Sequence, residues 1–216
     1  MREPTPAARI LIADDHQLLA DGCKRLLEPE FRVVAIVTDG RSLIAAAAAL
    51  NPDIILLDIY MPHLNGLDAG EQIHCKMPWI KLIFMTMSIE PDLAAEAFRR
   101  GASGFVIKQS AADELLFAIR KVNEQASYLS PLIARETVEH LITQGGSLKA
   151  EKRITTRQSE ILQLLAEGMS MKEEAKTIEI KPCTVAFHKY RMMRTLNVRT
   201  NAELLEYAVT RHMTPA

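Results

Sequence analysis

The stretch Asp53-Ile54-Ile55-Leu56-Leu57-Asp58-Ile59-Tyr60-Met61-Pro62 decides how the rest of the chain is read. Its short, unbroken apolar run is the pattern of a parallel strand buried on both faces. Such a strand should not tolerate a carboxylate, yet Asp58 follows the run directly and Met61-Pro62 then stop it. A charge at the carboxyl end of a central parallel strand lies where open α/β sheets bind their ligands. Asp58 is therefore the first candidate for chemistry.

On either side of that strand the chain alternates. Arg9 to Ala13 reads as a first buried strand ending at Asp14-Asp15, and His16 to Leu27 as a helix with Leu18, Leu19, Cys23, Leu26 and Leu27 at helical spacing. Phe31 to Val37 is a second strand. An alanine-rich helix, Ser42 to Leu50, stops at Asn51-Pro52. After the quoted strand, a loop with Pro62 and Gly66 leads to a helix through about Lys76. Ile80 to Thr86 is a fourth strand, Pro91 to Arg100 a helix, Gly104 to Lys108 a fifth strand, and Ala111 to Val122 a closing helix. Five such units predict an α/β, doubly wound, parallel five-stranded sheet in the order 2-1-3-4-5, because parallel neighbours need right-handed crossovers. No GxGxxG follows the first strand and no GxxxxGK[ST] occurs, which counts against nucleotide-binding versions of the fold. Gly101-Ala102-Ser103-Gly104 is not a nucleophile elbow, since its serine directly precedes the second glycine.

The remainder has a different character. Residues 1–125 carry 13 Lys/Arg against 17 Asp/Glu, whereas 151–216 carry 11 against 8, and no acid stands between Lys181 and Asn201. An acidic half joined to a basic half points to nucleic acid as the partner of the second. Between them, 126–150 reads as a linker with a possible helix: Ser130-Pro131 is a helix start, Leu132 to Ile142 a short helix, and Gln144-Gly145-Gly146-Ser147 the connection. Two capping boxes follow, Thr155-x-x-Gln158 and Ser170-x-x-Glu173. Pro182 then opens a helix to about Leu196, and Asn201 to Val209 is the last, so 151–216 forms a small all-α domain. Cys23, Cys75 and Cys183 are far apart and read as reduced thiols. With no signal-peptide core and no apolar run approaching membrane length, a cytoplasmic protein that does not engage a membrane is expected.

Polar residues at the strand ends, Asp14, Asp15, Asp58, Thr86 and Lys108, all face one crevice in that topology. Capping of helices by solvated carboxylates would explain any one of these acids but not the set. Carboxylates packed together repel unless a cation neutralises them, and Mg²⁺ (or Mn²⁺) suits an all-oxygen site. Asp58 can then act as nucleophile towards a phosphoryl group, with the metal, Lys108 and Thr86 stabilising charge on its oxygens. Of the histidines, His63 beside the Asp58 loop is the one placed to meet a phosphodonor. The others read as surface or boundary residues.

The blocks ADDHQ, LLDIYMPHLNGLD, FMTMS and GASGFVIK, in order and at suitable spacing, make residues 9–122 resemble response-regulator receiver domains, which are flavodoxin-like. The resemblance implies that Asp58 accepts phosphate from a sensor histidine kinase. It makes Asp15, Asp58 and the Tyr60 carbonyl metal ligands, with Asp14 acting mainly through water. It also makes Thr86 the switch hydroxyl, Phe105 the switch aromatic and Lys108 the phosphate-pairing lysine. Phe105 replaces a commoner Tyr and Gln109 a commoner Pro, and neither change removes a catalytic group.

In the tail, a helix from Thr184 to Leu196 places Val185, Met192 and Leu196 on an apolar stripe and Phe187, Tyr190, Arg191 and Arg194 opposite it. Solvation gives no reason for two outward aromatics. A helix-turn-helix whose second helix enters a major groove does. ITTRQSEILQLLAEGMSMKE and TVAFHKYRMMRTLNVRTNAELLEYA resemble the LuxR-type DNA-binding domain, so the whole chain resembles a NarL/FixJ-type response regulator. Carried over residue by residue, Thr184, His188, Lys189 and Arg191 imply phosphate or groove-edge contacts, Ala186, Phe187 and Tyr190 face bases, and Lys172 is placed for a backbone contact. Four residues depart from the pattern: Ala186 stands where a Lys or Arg is common, Lys181 at a usual Ser cap but able to reach a phosphate, Glu179 at a frequent turn glycine, and Glu174 at an apolar position. The last two are expected to strain the helix pair.

The reading is a sequence-specific DNA-binding transcription factor, controlled by phosphorylation and homodimeric when phosphorylated or on DNA. It is not an enzyme beyond its own phosphorylation and dephosphorylation at Asp58. Two alternatives stand beside it. A phosphatase using Asp58 lacks the DxDx[TV] arrangement and a capping domain. An interaction protein whose helix-turn-helix no longer reads DNA is favoured by Glu174, Glu179 and Lys181.

Overall fold

The structure, a computed structural model, describes residues 7–109, 112–135 and 154–210. The strands are β1 (Arg9–Ala13), β2 (Arg32–Val37), β3 (Ile54–Asp58), β4 (Lys81–Thr86), β5 (Ala102–Ile107) and β6 (Tyr128–Leu129). Between them run α1 (Gln17–Leu27), α2 (Gly40–Leu50), α3 (Gly66–Lys76), α4 (Pro91–Arg99) and α5 (Ala112–Asn123). The sheet is parallel throughout, in the order β2-β1-β3-β4-β5-β6. It contains the expected order with one more strand, a two-residue addition beside β5 drawn from the start of the 126–150 segment. Residues 131–135 are helical as Ser130-Pro131 foretold, while the rest of that helix and the Gly145-Gly146 connection lie outside the described residues.

Every residue of β3 is buried, which is what an unbroken apolar run requires. One face of the sheet packs on Leu43 and Ala47 of α2, Ala69 and Ile73 of α3, and Leu93 and Ala97 of α4. The other packs on Ala20, Cys23 and Leu27 of α1 and Leu115, Ile119 and Val122 of α5. The α1 stripe differs from the expected one. Leu18 is 91% exposed, because it lies half a turn round the helix from Leu27 at about 100° per residue, and Ala20 takes the inward place.

Caps set the helix starts. Asp39 Oδ1 accepts from the Arg41 and Ser42 N–H groups at 2.9 Å each, and Asn65 Oδ1 accepts from Asp68 N–H at 2.9 Å. Residues 154–210 form four helices: α6 (Thr156–Ala166), α7 (Met171–Thr177), α8 (Pro182–Leu196) and α9 (Asn201–Thr210). Both expected capping boxes form, at Thr155/Gln158 and Ser170/Glu173. Ile161, Leu164, Ala175, Ile178 and Val185 make one small core there, and Leu162, Met192, Leu204 and Ala208 another. Helix α6 also lies against α3 and the loop after β3. Among the described residues no helix is long and apolar enough to cross a membrane.

The loop after β3 is held by close backbone approach. A Cβ on Gly66 would stand 2.0 Å from the Asp58 carbonyl oxygen, and one on Gly40 2.2 Å from that of Leu64. Both obstacles are backbone, so the loop itself would have to move. Gly66→Ala is therefore expected to cost about 3 kcal/mol or more, at the upper end of overpacking changes, measured by urea denaturation. A loss below about 0.5 kcal/mol would show that this loop is free to shift.

Candidate functional site: an acidic pocket and a basic helix

The carboxyl ends of β1 and β3 bring Asp14 and Asp58 side by side, both buried. Lys108, just past β5, reaches across to them. Its Nζ lies 2.9 Å from Asp14 Oδ2 and donates to Asp58 Oδ2 at 2.6 Å. Its backbone N–H donates to the Thr86 carbonyl at 2.7 Å, which ties the end of β5 to that of β4. Asp15 is partly exposed at the rim, with His16 Nδ1 at 2.9 Å from its Oδ1. The His16 N–H donates to Asp14 Oδ1 at 2.9 Å. Nothing in its spacing singled out this histidine, but its position directly after Asp14-Asp15 was the signal.

Burial pushes the Asp58 carboxyl up from an ordinary 3.8 to about 6, with Lys108 opposing and Asp14 adding to the rise. Burial alone would lower the Lys108 ammonium, but Asp58 and Asp14 outweigh it and hold Lys108 above its ordinary range. Beneath them the Cys23 thiol is pushed up to about 11 by burial, with Asp14 next, so this cysteine is inert. Asp14, Asp15, His16 and Asp58 each offer an atom within 4.8 Å of the others. Asp14 Oδ2 and Asp15 Oδ1 are buried, and each has a single nitrogen beside it, Lys108 Nζ and His16 Nδ1 respectively. Three carboxylates sharing one lysine fit a hard divalent cation, which takes oxygen ligands and neutralises the repulsion.

Around this pocket, the Tyr60 N–H donates to Asp58 Oδ1 at 3.2 Å. Burial pushes the Tyr60 phenol up to about 12, and a hydrogen bond with the Thr86 side chain partly offsets it. Thr86 is fully buried, and its Oγ1 accepts from Ser88 N–H at 3.1 Å. The Tyr60–Thr86 pairing was not foreseen, since only the Tyr60 carbonyl had been singled out. Phe105 is fully buried, opposite Phe84 in the sheet register. His63 meets the end of α6: its N–H donates to Oε1 of the C-cap Glu167 at 3.1 Å, and its Nδ1 lies 3.9 Å from Glu167 Oε2.

The second cluster lies on α8. Val185 and Met192 are buried and Leu196 is partly buried, while Phe187 and Tyr190 are 60% and 70% exposed beside exposed Arg191 and Arg194. Phe187, Tyr190, Arg191, Arg194 and Thr195 line one hollow. Lys172 and Lys181 are exposed as well, whereas Thr184, Ala186, His188 and Lys189 are half-buried. Lys181 is the N-cap of α8 and makes no side-chain cap bond. Glu179 adopts a left-handed φ of 55°, the geometry a glycine accepts without strain. Glu174 is fully buried with both carboxylate oxygens unbonded, and burial raises its pKa against the opposing charge of Lys189.

An α/β sheet with an acidic pocket at its carboxyl edge, followed by a helix-turn-helix, defines a receiver joined to a DNA-binding output domain. Residues 10–120 match the response regulator receiver domain model, and 152–208 match that of the bacterial regulatory proteins of the luxR family. The chain belongs to the response regulators with a LuxR-type DNA-binding domain. It is 30% identical over 212 residues to the transcriptional regulatory protein DegU of Brevibacillus brevis, covering 90% of each chain. Among solved structures it resembles a LuxR-family two-component response regulator from Aurantimonas sp. SI85-9A1, with 33% identity and a TM-score of 0.61, covering 63% of this chain and 99% of that one. It also resembles RcsB from Salmonella enterica serovar Typhimurium bound to promoter rprA in the presence of the phosphomimetic BeF3-. There the identity is 25% and the TM-score 0.57, covering 93% of this chain and 97% of that one.

The raised Asp58 pKa has a stability consequence. A group whose folded pKa lies above its unfolded value stabilises the fold fully below the unfolded pKa and loses that contribution as pH rises through the folded one, here between about 4 and 6. Without metal at about pH 7.5, Asp58→Asn is expected to be more stable than wild type by on the order of 1–3 kcal/mol, the difference vanishing near pH 4. Urea denaturation at both pH values measures this. A variant less stable than wild type at the higher pH would mean that the Lys108 pairing outweighs burial.

Proposed function

We propose that this chain is a phosphorylation-controlled, sequence-specific DNA-binding transcriptional regulator, with Asp58 as the phosphoacceptor of a sensor histidine kinase. The observation that carries this is the buried Asp58–Lys108–Asp14 cluster at the carboxyl edge of the sheet, in one chain with an outward Arg-plus-aromatic helix. Asp15, Asp58 and the Tyr60 carbonyl would hold the cation, with Asp14 acting through water. Mg²⁺, when bound, supplies positive charge for the carboxylates and for the oxygens of an incoming phosphoryl group.

Ionised Asp58 then attacks phosphorus through a carboxylate oxygen, and the bond from phosphorus to the donor nitrogen breaks. Lys108 transfers its hydrogen bond from Asp58 to a phosphoryl oxygen. Thr86 leaves Tyr60 to meet the same group, and Phe105, already fully buried, repacks into the space it vacates. The added charge and acceptors thus bias the α4-β5-α5 face between two packings. Phosphorylation and hydrolysis at Asp58 serve as a timer and not as a metabolic activity. A cytoplasmic location and homodimerisation when phosphorylated or on DNA belong to the same reading, the second supported by RcsB, solved as two dimers bound to two parallel DNAs.

On α8, Thr184, His188, Lys189, Arg191 and Arg194, with Lys172 and Lys181, are read as phosphate or groove-edge contacts, and Ala186, Phe187 and Tyr190 as facing bases. Phosphate contacts set affinity and its salt dependence, while base edges set sequence choice. The rival reading, a helix pair that has lost DNA binding, draws on buried Glu174 and left-handed Glu179. A gel-shift titration at two salt concentrations separates the two.

On DNA selected from a random pool by the protein itself, a small phosphodonor with Mg²⁺ is expected to tighten binding of wild type and leave Asp58→Ala unchanged. No phosphodonor effect on wild type would remove the switch. Phe187→Ala is expected to cost about 1–3 kcal/mol on the selected site only. Arg191→Ala is expected to weaken binding to all DNA and reduce the salt slope by about 1. Equal losses for Phe187→Ala on selected and random DNA would refute its base-reading role.

A further inference from the structure

The outward face of α8 carries a particular set of side chains. Across its 15 residues there is no Asp, Glu, Asn or Gln. A carboxylate accepts from the cytosine amino group, and a carboxamide pairs with the adenine edge, so this helix addresses neither base in that way. What stands outward in their place is aromatic. Phe187 and Tyr190 are exposed, three residues apart and therefore on one face, with Arg191 and Arg194 further along the helix. The hollow that these four line with Thr195 is thus aromatic towards the helix start and cationic towards its end. The Phe187 ring is also held in place: it meets the ring of half-buried His188 edge-on, with centroids 5.7 Å apart and planes at 73°. Ala186, just before it, adds only a methyl group.

A phenyl ring has no hydrogen bond to give, so burying it on a base edge is favourable only where that edge is apolar. Against the amino and carbonyl groups of a G·C pair, Phe187 would strip water from polar atoms and return no bond. The major groove offers one apolar group, the C5-methyl of thymine. Cytosine methylated at C5 carries the same group at the same place. We propose that Phe187, with Tyr190 beside it, reads the C5-methyl of a pyrimidine, so that the chain accepts thymine or 5-methylcytosine there and disfavours unmethylated cytosine. The proposal rests on the reading of α8 as a major-groove helix given above. Methylation of a cytosine within a site would then change the occupancy of that site with no change at Asp58. The arginines have a separate part. As fixed positive charges they hold the backbone whichever base is present, and no acid between Lys181 and Asn201 opposes them.

The test uses full-length protein with Mg²⁺ and a small phosphodonor throughout, on a site that it selects from a random pool. Each thymine of that site is replaced in turn by deoxyuridine, which removes the methyl and leaves base pairing unchanged. Affinity is read by fluorescence anisotropy at fixed salt. At least one position is expected to lose about 4-fold with its methyl. At that position 5-methylcytosine opposite guanine is expected to bind about 4-fold tighter than cytosine. Phe187→Ala should bind thymine and uracil equally there with an unchanged salt slope, whereas Phe187→Leu, which keeps an apolar contact, should retain part of the preference. Arg191→Ala should weaken all these duplexes alike and keep the preference for the methyl. Phe187 is exposed, so unchanged helical circular dichroism is expected in both of its variants. Uracil tolerated at every position overturns the methyl reading and leaves DNA binding standing, as does a methyl preference that survives in Phe187→Ala. A protein that enriches no sequence from the pool removes the major-groove reading, and the methyl reading with it.

Discussion

A single ammonium between two buried carboxylates constrains the receiver half. Asp14 and Asp58 end neighbouring parallel strands, so the sheet brings them together whatever their charges prefer. Two like charges in a buried site cannot both stay ionised without compensation. Lys108 supplies part of it, at 2.9 Å from one acid and 2.6 Å from the other, but one cation against Asp14, Asp15 and Asp58 leaves the pocket short of positive charge. Burial first, and the neighbouring Asp14 after it, raise the pKa of Asp58 against the pull of Lys108. The same deficit is what an oxygen-seeking divalent ion relieves. The resting ion pair is therefore incomplete by construction, and in the function proposed above a metal and then a phosphoryl group would complete it.

The strands and their order were legible because buried parallel strands carry continuous apolar runs, and Asp58 was legible because it interrupts one. The acidic cluster followed from topology, since the sheet order alone sends the ends of β1, β3, β4 and β5 to one edge. What escaped was local and short, or distant in sequence. Tyr128–Leu129 pairs with β5 over two residues, too few for any alternation to register. Leu18 is apolar at a plausible spacing yet faces solvent, because the stripe is set by what packs against it and Ala20 fits there better. Tyr60 meeting Thr86 depends on how the loop after β3 folds back, which no local pattern encodes.

Gln163 on α6, which bonds the Met61 carbonyl and the Asn65 N–H, was invisible for a different reason. A glutamine on the polar face of an amphipathic helix reads as solvated, and its partners lie about a hundred residues away in the chain. On α6, Gln158, Ser159, Glu160 and Gln163 are all buried, an unusual density of polar groups for one helix. Their burial comes from the helix's own capping box in one case and from the receiver surface in another. The second could not be read without knowing where the other domain sits.

The departures in the helix-turn-helix can be sorted by where their cost falls. Lys181 leaves α8 without a side-chain cap, worth roughly 1 kcal/mol, and left-handed Glu179 costs roughly 1–2 kcal/mol more. Glu174 adds a buried carboxyl whose oxygens find no partner, eased only by the charge of Lys189. For a domain of about sixty residues these are large against a typical net stability of roughly 5 kcal/mol or less. Two of them, Glu174 and Glu179, fall on α7 and the turn before α8, away from the side chains of Phe187, Tyr190, Arg191 and Arg194, and Lys181 itself is an exposed cation. The strain thus weakens the scaffold and leaves the charged and aromatic surface intact. A marginal helix-turn-helix gains from any surface that buries α6, and the receiver offers one. The contact of α6 with the loop after β3 therefore helps to keep this domain folded, while the exposed face of α8 stays open to a second partner.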